Sequence, residues 1–169
     1  YAAVVDRMLS SVAIRDPSFI WWDARLRPAL GTVEVRIMDS QSRAADVGAL
    51  AALVQCLVRR DADEGGDGET DAEALDENRF LAARDGMDAL FIDDRRGRRA
   101  ASDVLAERLE ACRPYAAELG CVSELAHAAR LAREPGHARQ RRLAEHRGLD
   151  GLVASLVDDF ARAGRAIAA

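Results

Sequence analysis

The chain has 169 residues, of which 49% are hydrophobic and 31% are charged, so it carries enough apolar surface for a globular core. Its net charge of −5 provides no basic field for nucleic acid, and no apolar run reaches the roughly 18 residues of a membrane-spanning helix. We therefore expect neither nucleic acid nor membrane partners. The sequence begins at Tyr1 without an initiator methionine or a signal-peptide pattern, which predicts a fragment or a trimmed chain.

The basic, cysteine and histidine residues narrow the possible chemistry. All 24 basic residues are Arg, which is typical of GC-rich codon usage and leaves no Lys as a Schiff base or general base. The odd number of cysteines, without a Cys-x-x-Cys pair, indicates buried thiols of a reducing compartment, and we expect a cytoplasmic protein. No histidine occurs at zinc-site spacing, so the histidines are expected to be surface residues. The residues concerned are Cys56, Cys112, Cys121, His127, His137 and His146.

The first elements in chain order are a helix and a β-hairpin. Apolar residues at helical spacing predict a helix over 2–13, which Asp16-Pro17 ends. The aromatic and β-branched segment FIWWDAR (19–25) predicts a strand. TVEVRIMD (32–39) returns antiparallel to it, through a loop of about four or five residues.

The rest of the chain is predicted to be mainly helical. The strongest helical pattern covers about 43–60, with Ser40 or Ser42 as its cap and Val47, Leu50, Leu53, Val54, Leu57 and Val58 as its apolar stripe. Residues 61–77 are acidic and glycine-containing, which predicts a mobile surface loop, with a helix resuming near residue 72. LFIDDRRGRRA predicts a short hairpin with Gly97 in its turn. Helices capped by Ser102 and Ser123 follow, and Pro114 either kinks or restarts the first of them. Two more helices cover about 137–147 and 150–163.

The first hairpin is the leading candidate for a site. Strand alternation places Glu34 and Arg36 on one face and Val33, Val35 and Ile37 on the other, which we expect to pack under helix 43–60. A four-residue loop puts Asp23 and Arg25 of the partner strand on the face of Glu34, and a five-residue loop separates them. The charged face is either a solvated outer face or the floor of a site.

Two further stretches are weaker candidates. ENRFLAARDG (77–86) brings Asn78 and Arg84 beside apolar neighbours, either as a site or as the rim of an amphipathic helix. RRGRR (95–99) is suited to gripping phosphate or to forming a solvated hairpin tip.

Two blocks of sequence resemble the glutamate–cysteine ligase type 2 family of carboxylate–amine ligases. IRDPSFIWWDARLRPALGTVEVRIMDSQSRAADVGALAALVQCLV resembles the family pattern W-D-x-R-P-x-P-x-x-G-T-x-E-x-R-x-x-D with its following Ala/Leu-rich helix. ENRFLAARDGMDALFIDDRRGR resembles the next block, N-[RK]-[FW]-x-A-x-R-x-G-[LM]. The resemblance extends over essentially the whole chain and implies the C-terminal part of such an enzyme.

The resemblance implies a fold and an activity. The implied fold is α+β and helix-rich, with antiparallel strands of a glutamine-synthetase-like catalytic sheet in 1–60, the acidic loop in 61–77, and a helical bundle with a short hairpin in 78–169. The implied parent enzyme uses ATP and Mg²⁺ to join glutamate or a similar acid to an amine such as cysteine, through an acyl phosphate. We expect small-molecule substrates, a homo-oligomer and an isolated fragment that is inactive.

The resemblance also implies residue roles. By position in the Glu-x-Arg strand, Glu34 is the Mg²⁺ ligand and Arg36 the catalytic contact to the transferred phosphate, while Arg25, Arg84 and Asn78 are expected to bind substrate. Two other functions remain open: a non-catalytic helical packing or oligomerisation module, and a phosphotransferase on the same sheet.

Overall fold

The computed structural model describes residues 2–11, 14–65, 71–93 and 96–167. Within them the chain is α+β and helix-rich, with two small antiparallel sheets. It divides into two compact units, residues 1–40 and residues 41–169. None of the helices in the described ranges is both long and apolar enough to cross a membrane.

The first unit contains helix α1 (Ala2–Ser10) and a two-stranded sheet of β1 (Ala24–Arg27) and β2 (Thr32–Val35). A turn of 3₁₀ helix, Pro28–Leu30, and Gly31 connect the strands. Gly31 has φ 62°, a left-handed conformation that glycine adopts without steric cost. The pairing of Arg25 with Glu34 and of Arg27 with Thr32 confirms the four-residue loop, the alternative that brings the charged residues to one face.

The predicted strand lengths and apolar face of this hairpin were wrong. Residues 17–19 form a 3₁₀ turn, and the paired segments are four residues each instead of 19–25 and 32–39. Val33, Val35 and Ile37 retain 48%, 36% and 59% of their surface exposed, so they are not packed in a core as predicted. The structure buries Arg25 in this hairpin instead, at 5% exposure.

In its described residues, the second unit contains five α-helices and a second hairpin. Its elements are α2 (Ala44–Glu64), α3 (Ala72–Asp85), β3 (Leu90–Asp93), β4 (Gly97–Ala100), α4 (Ala101–Glu118), α5 (Val122–Arg133) and α6 (Gly136–Ile167). Strands β3 and β4 pair antiparallel as predicted, with Gly97 at φ 74°. Helix α6 is broken at Gly148, whose non-helical φ of 68° separates the two helical segments that the sequence predicted.

The core of the second unit lies where α2, α4 and α5 meet. Cys56, Cys112, Ala116 and Leu125 are its buried centre. Helix α2 buries its predicted stripe only in part, because Leu53 and Leu57 pack against this centre whereas Val47 and Val58 are exposed. The buried positions of the helix are Asp46, Ala49, Ala52, Cys56 and Arg60. Small side chains allow two helices to approach closely, so the larger residues of α2 lie at the rim of the contact.

The acidic segment 61–77 is more helical than predicted. Helix α2 continues through residues 61–64 to Glu64, and α3 begins at Ala72 with Asp71 as its cap. The Asp71 carboxylate accepts a hydrogen bond from the backbone N–H of Glu73, which satisfies a donor that the first turn leaves open. The remainder of the predicted loop, residues 66–70, lies outside the described residues.

The predicted serine caps were also wrong, and α4 does not restart at Pro114. The residues at the N-cap positions of α2, α4 and α5 make no side-chain cap hydrogen bond; they are Arg43, Ala100 and Cys121. Pro114 lies inside α4, which continues to Glu118.

Candidate functional site

The paired strands of the first unit place a buried arginine against a half-exposed glutamate. Arg25 and Glu34 are directly opposite each other on β1 and β2. Both Nε and Nη2 of Arg25 donate to Oε2 of Glu34, at 3.1 and 2.6 Å, and Nη1 donates to the Pro17 carbonyl at 3.2 Å. Because Arg25 is held at three points and only 5% exposed, it fixes the orientation of the glutamate.

Two more arginines complete what we call the hairpin cluster, defined as Arg25, Arg27, Glu34 and Arg36. Arg27 Nη1 lies 3.5 Å from Glu34 Oε2, and Arg36 Nε lies 3.8 Å from Oε1. The Arg36 guanidinium also lies over the Trp21 ring, 5.0 Å from its centroid. This stacking and a backbone hydrogen bond from Arg36 N–H to the Asp23 carbonyl keep the residue beside the hairpin.

The hairpin cluster has an excess of positive charge. Three guanidinium groups surround one carboxylate, which leaves a net formal charge of two positive units. The hydrogen bond from Arg25 is the main cause that lowers the pKa of Glu34, with further lowering from the charges of Arg25, Arg36 and Arg27. Glu34 is therefore ionised at neutral pH, and Arg27 and Arg36, which lie 3.5 and 3.8 Å from it, can bind an additional anion such as phosphate or carboxylate.

The residues of the first weaker candidate, Asn78 and Arg84, lie on α3 in the second unit. The Asn78 amide bonds to the backbone of Ile92 in both directions: Nδ2 donates to the carbonyl at 2.9 Å and Oδ1 accepts from the N–H at 2.7 Å. Arg84 forms a two-point pair with Asp85, at 2.8 and 2.7 Å, and lies over the Phe80 ring. Asn78 thus joins α3 to the second hairpin, and the substrate-binding roles of both residues stay predictions.

The basic hairpin tip is held by acidic residues in its described part. Arg99 pairs with Glu107 at 2.6 Å and with Asp93 at 3.4 Å, and its side chain is largely buried. Arg96 Nη1 donates to Glu107 at 3.4 Å. These pairs occupy the guanidinium groups of Arg96 and Arg99. Residue 95 of the predicted phosphate-binding stretch lies outside the described residues.

Comparison with known proteins gives the family. A family model described as glutamate–cysteine ligase family 2 matches residues 1–159. A candidate glutamate–cysteine ligase 2-1 of Rubrobacter xylanophilus is 37% identical over 94% of this chain. Similar proteins of Arthrobacter sp. and Paenarthrobacter aurescens are 41% and 39% identical, over 93% and 95% of this chain.

The chain belongs to glutamate–cysteine ligase family 2. It covers 43%, 43% and 44% of the length of those three relatives, so it spans less than half of each. The resemblance inferred from the two sequence blocks is confirmed. The Glu-x-Arg segment of that resemblance contributes to the hairpin cluster Glu34, on β2, and Arg36, which directly follows the last residue of β2.

A magnesium ion fits the hairpin cluster only with further ligands. Oε2 of Glu34 accepts the two Arg25 bonds, whereas Oε1 accepts no hydrogen bond recorded for the described residues and has the hard oxygen character that Mg²⁺ prefers. No group of three or more His, Cys, Asp and Glu residues in the described ranges is arranged to hold a metal. Glu34 can therefore supply one ligand, and additional oxygens, such as those of phosphate, must accompany the cation to offset three nearby arginines.

One charged cluster was missed by the sequence reasoning. Asp46, which is nearly fully buried on α2, accepts from Arg139 Nη2 at 3.3 Å and lies 2.8 Å from His127 Nε2. His127 is therefore a hydrogen-bond partner of Asp46 in the helical unit, where a surface histidine was predicted. Asp46 is 81 positions from His127 and 93 positions from Arg139, so no local pattern connects them. The acidic residue at a buried position of α2 was the one feature of the sequence that pointed to a buried charge.

Proposed function

We propose that this chain carries part of the active site of an ATP-dependent carboxylate–amine ligase, which joins glutamate or a similar acid to an amine such as cysteine. The observation that carries the proposal is the hairpin cluster, in which a fixed, ionised glutamate lies among three arginines on the strand pair that the family resemblance singles out. The two-stranded sheet is proposed to belong to a larger sheet of glutamine-synthetase type.

The proposed reaction needs an anion-binding surface of this kind. A carboxylate does not react with an amine until its oxygen becomes a leaving group, and transfer of the ATP γ-phosphate makes it an acyl phosphate. Negative charge spreads over the phosphoryl oxygens during this transfer, and fixed guanidinium groups stabilise that charge. The amine then displaces phosphate, and the products are an amide, ADP and phosphate.

Each residue of the hairpin cluster has a defined part in this proposal. Arg36, stacked on Trp21 and only loosely paired with Glu34, is placed to donate to the transferred phosphate. Arg25 is a positioning residue, because its nitrogens hold Glu34 and the Pro17 carbonyl. Glu34 would hold Mg²⁺ through Oε1, and the ion, when bound, supplies positive charge to the phosphoryl oxygens.

The proposal is tested on the full-length parent protein, with ADP release measured across a panel of acids and amines. We expect release that requires both an acid and an amine. We expect Arg36→Lys to lower kcat by roughly 10- to 100-fold, because a point charge cannot replace the planar fork of arginine. Arg113→Lys is the matched control, since Arg113 is an exposed arginine paired with Glu110 in the helical unit.

The outcomes separate the three functions. Equal loss in both variants, or none in Arg36→Lys, contradicts a role for Arg36 in phosphate transfer. ADP release that needs an acceptor amine but no acid indicates the phosphotransferase. Absence of ADP release with every pair indicates the non-catalytic packing module. Cytoplasmic location, small-molecule substrates and a homo-oligomeric state stay predictions.

A further inference from the structure

The three cysteines lie together in the core of the second unit. Cys56 is on α2, Cys112 is on α4, and Cys121 is the residue before α5. All three are free thiols. The Sγ atoms of Cys56 and Cys121 are 3.7 Å apart, although the two residues are separated by 65 positions in the sequence.

The two sulfurs of the close pair differ in their access to solvent. Cys56 is fully buried among Cys112, Ala116 and Leu125, whereas Cys121 is only partly buried at the edge of the same cluster. Burial raises the pKa of the Cys56 thiol to about 12, with further raising from the contact with Cys121 and from Cys112. Cys56 therefore stays protonated at neutral pH, and a dissolved oxidant reaches Cys121 first.

We propose that Cys56 and Cys121 are an oxidative modification site, at which a peroxide oxidant produces a reversible disulfide that ties α2 to the start of α5. The sulfurs must approach from 3.7 Å to the roughly 2.05 Å of a disulfide bond. Cys121 precedes the first helical residue of α5, so rotation of its side chain toward Cys56 requires no change inside that helix.

The chemistry balances in two steps. The Cys121 thiol takes one oxygen from the peroxide, which is reduced to water or to an alcohol, and becomes a sulfenic acid. The Cys56 sulfur then attacks the Cys121 sulfur, the S–O bond breaks, and the hydroxyl leaves as water with the proton of the Cys56 thiol. A dithiol reductant returns the disulfide to two thiols by supplying two electrons and two protons, and is itself oxidised to a disulfide.

Cys112 is the internal control that the chain provides. It lies in the same apolar cluster, and burial raises the pKa of its thiol as well. No sulfur contact of Cys112 comparable to that between Cys56 and Cys121 is recorded in the described part of the chain. Proximity, not burial, therefore selects the reactive pair.

The experiment treats the chain with hydrogen peroxide, alkylates the remaining thiols and maps the peptides by mass spectrometry under non-reducing conditions. We expect a Cys56–Cys121 disulfide with Cys112 still alkylated, and the same product from Cys112→Ala. In Cys56→Ala we expect Cys121 to accumulate as sulfenic acid, trapped by dimedone. In Cys121→Ala we expect no disulfide.

A second measurement reports the cross-link in the wild-type chain itself. The disulfide closes a long loop, so the thermal unfolding midpoint of the oxidised chain should exceed that of the reduced chain by roughly 5 °C or more. Dithiothreitol should remove the difference, and Cys121→Ala should not show it. A disulfide that involves Cys112, three alkylated thiols after peroxide, or equal midpoints before and after reduction would overturn the proposal.

Discussion

Glu34 and Asp46 are both carboxylates held by basic side chains, but one is half-exposed on a hairpin and the other is sealed between helices. Glu34 keeps 37% of its side chain accessible and faces three arginines. Asp46 keeps 3% and is bound by His127 and Arg139. Accessibility with excess positive charge suits ligand binding, whereas a buried and fully partnered charge is part of the packing.

The largest expected effect is the loss of activity when Glu34, the exposed carboxylate of this comparison, is replaced. In the full-length protein we expect Glu34→Gln to lower the turnover rate by roughly two to four orders of magnitude. Glutamine is nearly isosteric, but its neutral oxygen is a poor ligand for a hard cation. The measurement is kcat for ADP release with saturating substrates.

Glu107→Gln is the matched control for this prediction. Glu107 is an exposed carboxylate with an arginine at 2.6 Å, the same separation as between Glu34 and Arg25, but it lies on α4 in the helical unit. We expect this variant to keep near-normal turnover. A similar loss in both variants would show that a general loss of an ion pair, and not a ligand role of Glu34, lowers the activity.

The next largest effect is a loss of stability when Asp46, the buried carboxylate, is replaced. We expect Asp46→Ala to lower the free energy of unfolding of the chain by about 3 kcal/mol, because it leaves the largely buried Arg139 guanidinium without its counter-charge and His127 without its hydrogen-bond partner. Urea unfolding followed by circular dichroism at neutral pH measures this change. Asp46→Asn, which keeps the shape and one oxygen acceptor, should lose less. A neutral result for Asp46→Ala would mean that the buried cluster contributes nothing to packing.

The sequence predicted the elements of both regions better than their contacts. Alternating charges and the turn residues around Pro28 and Gly31 predicted the hairpin, because a turn and its flanking strands follow from local geometry. The register stayed open between a four- and a five-residue loop until the structure showed Arg25 opposite Glu34. The exposure of Val33 and Val35 could not be predicted in the same way, since burial depends on which residues pack against that face of the strand. Likewise, the contact between Asp46 and His127 joins residues 81 positions apart, and no local pattern specifies it.

Helix α2 shows why tertiary packing limited the prediction. The hydrophobic pattern pointed to its valines and leucines, yet Ala49 and Cys56 are the hydrophobic residues of this helix that keep no exposed surface. A hydrophobicity scale ranks large side chains as core, whereas close helix contacts favour small ones. The close pair of Cys56 and Cys121 follows from the same close approach of α2 and α5, which spacing along the chain did not reveal.

The smallest expected effect is the pH dependence of the hairpin cluster. Arg25 holds the pKa of Glu34 below its ordinary value of 4.5, so the folded state binds this proton more weakly than the unfolded state does. The stability that the ionised Glu34 provides is therefore present above pH 4.5 and is lost as the pH falls through the lowered pKa of the folded state. Glutamine does not titrate, so Glu34→Gln should be slightly less stable than wild type at neutral pH, and this difference should disappear in acid.

Tryptophan fluorescence during urea unfolding measures this difference locally, because both tryptophans of the chain, Trp21 and Trp22, lie in the first unit. The difference between the urea midpoints of wild type and Glu34→Gln is compared at pH 7 and at about one unit below the ordinary pKa. Since Arg25 is buried and Glu34 is its partner across the strands, a constant difference at both pH values would mean that the charge of Glu34 does not stabilise the hairpin. Glu34 would then differ from Asp46 in contributing no electrostatic stability. Its charge would serve ligand binding alone, whereas the charge of Asp46 serves packing.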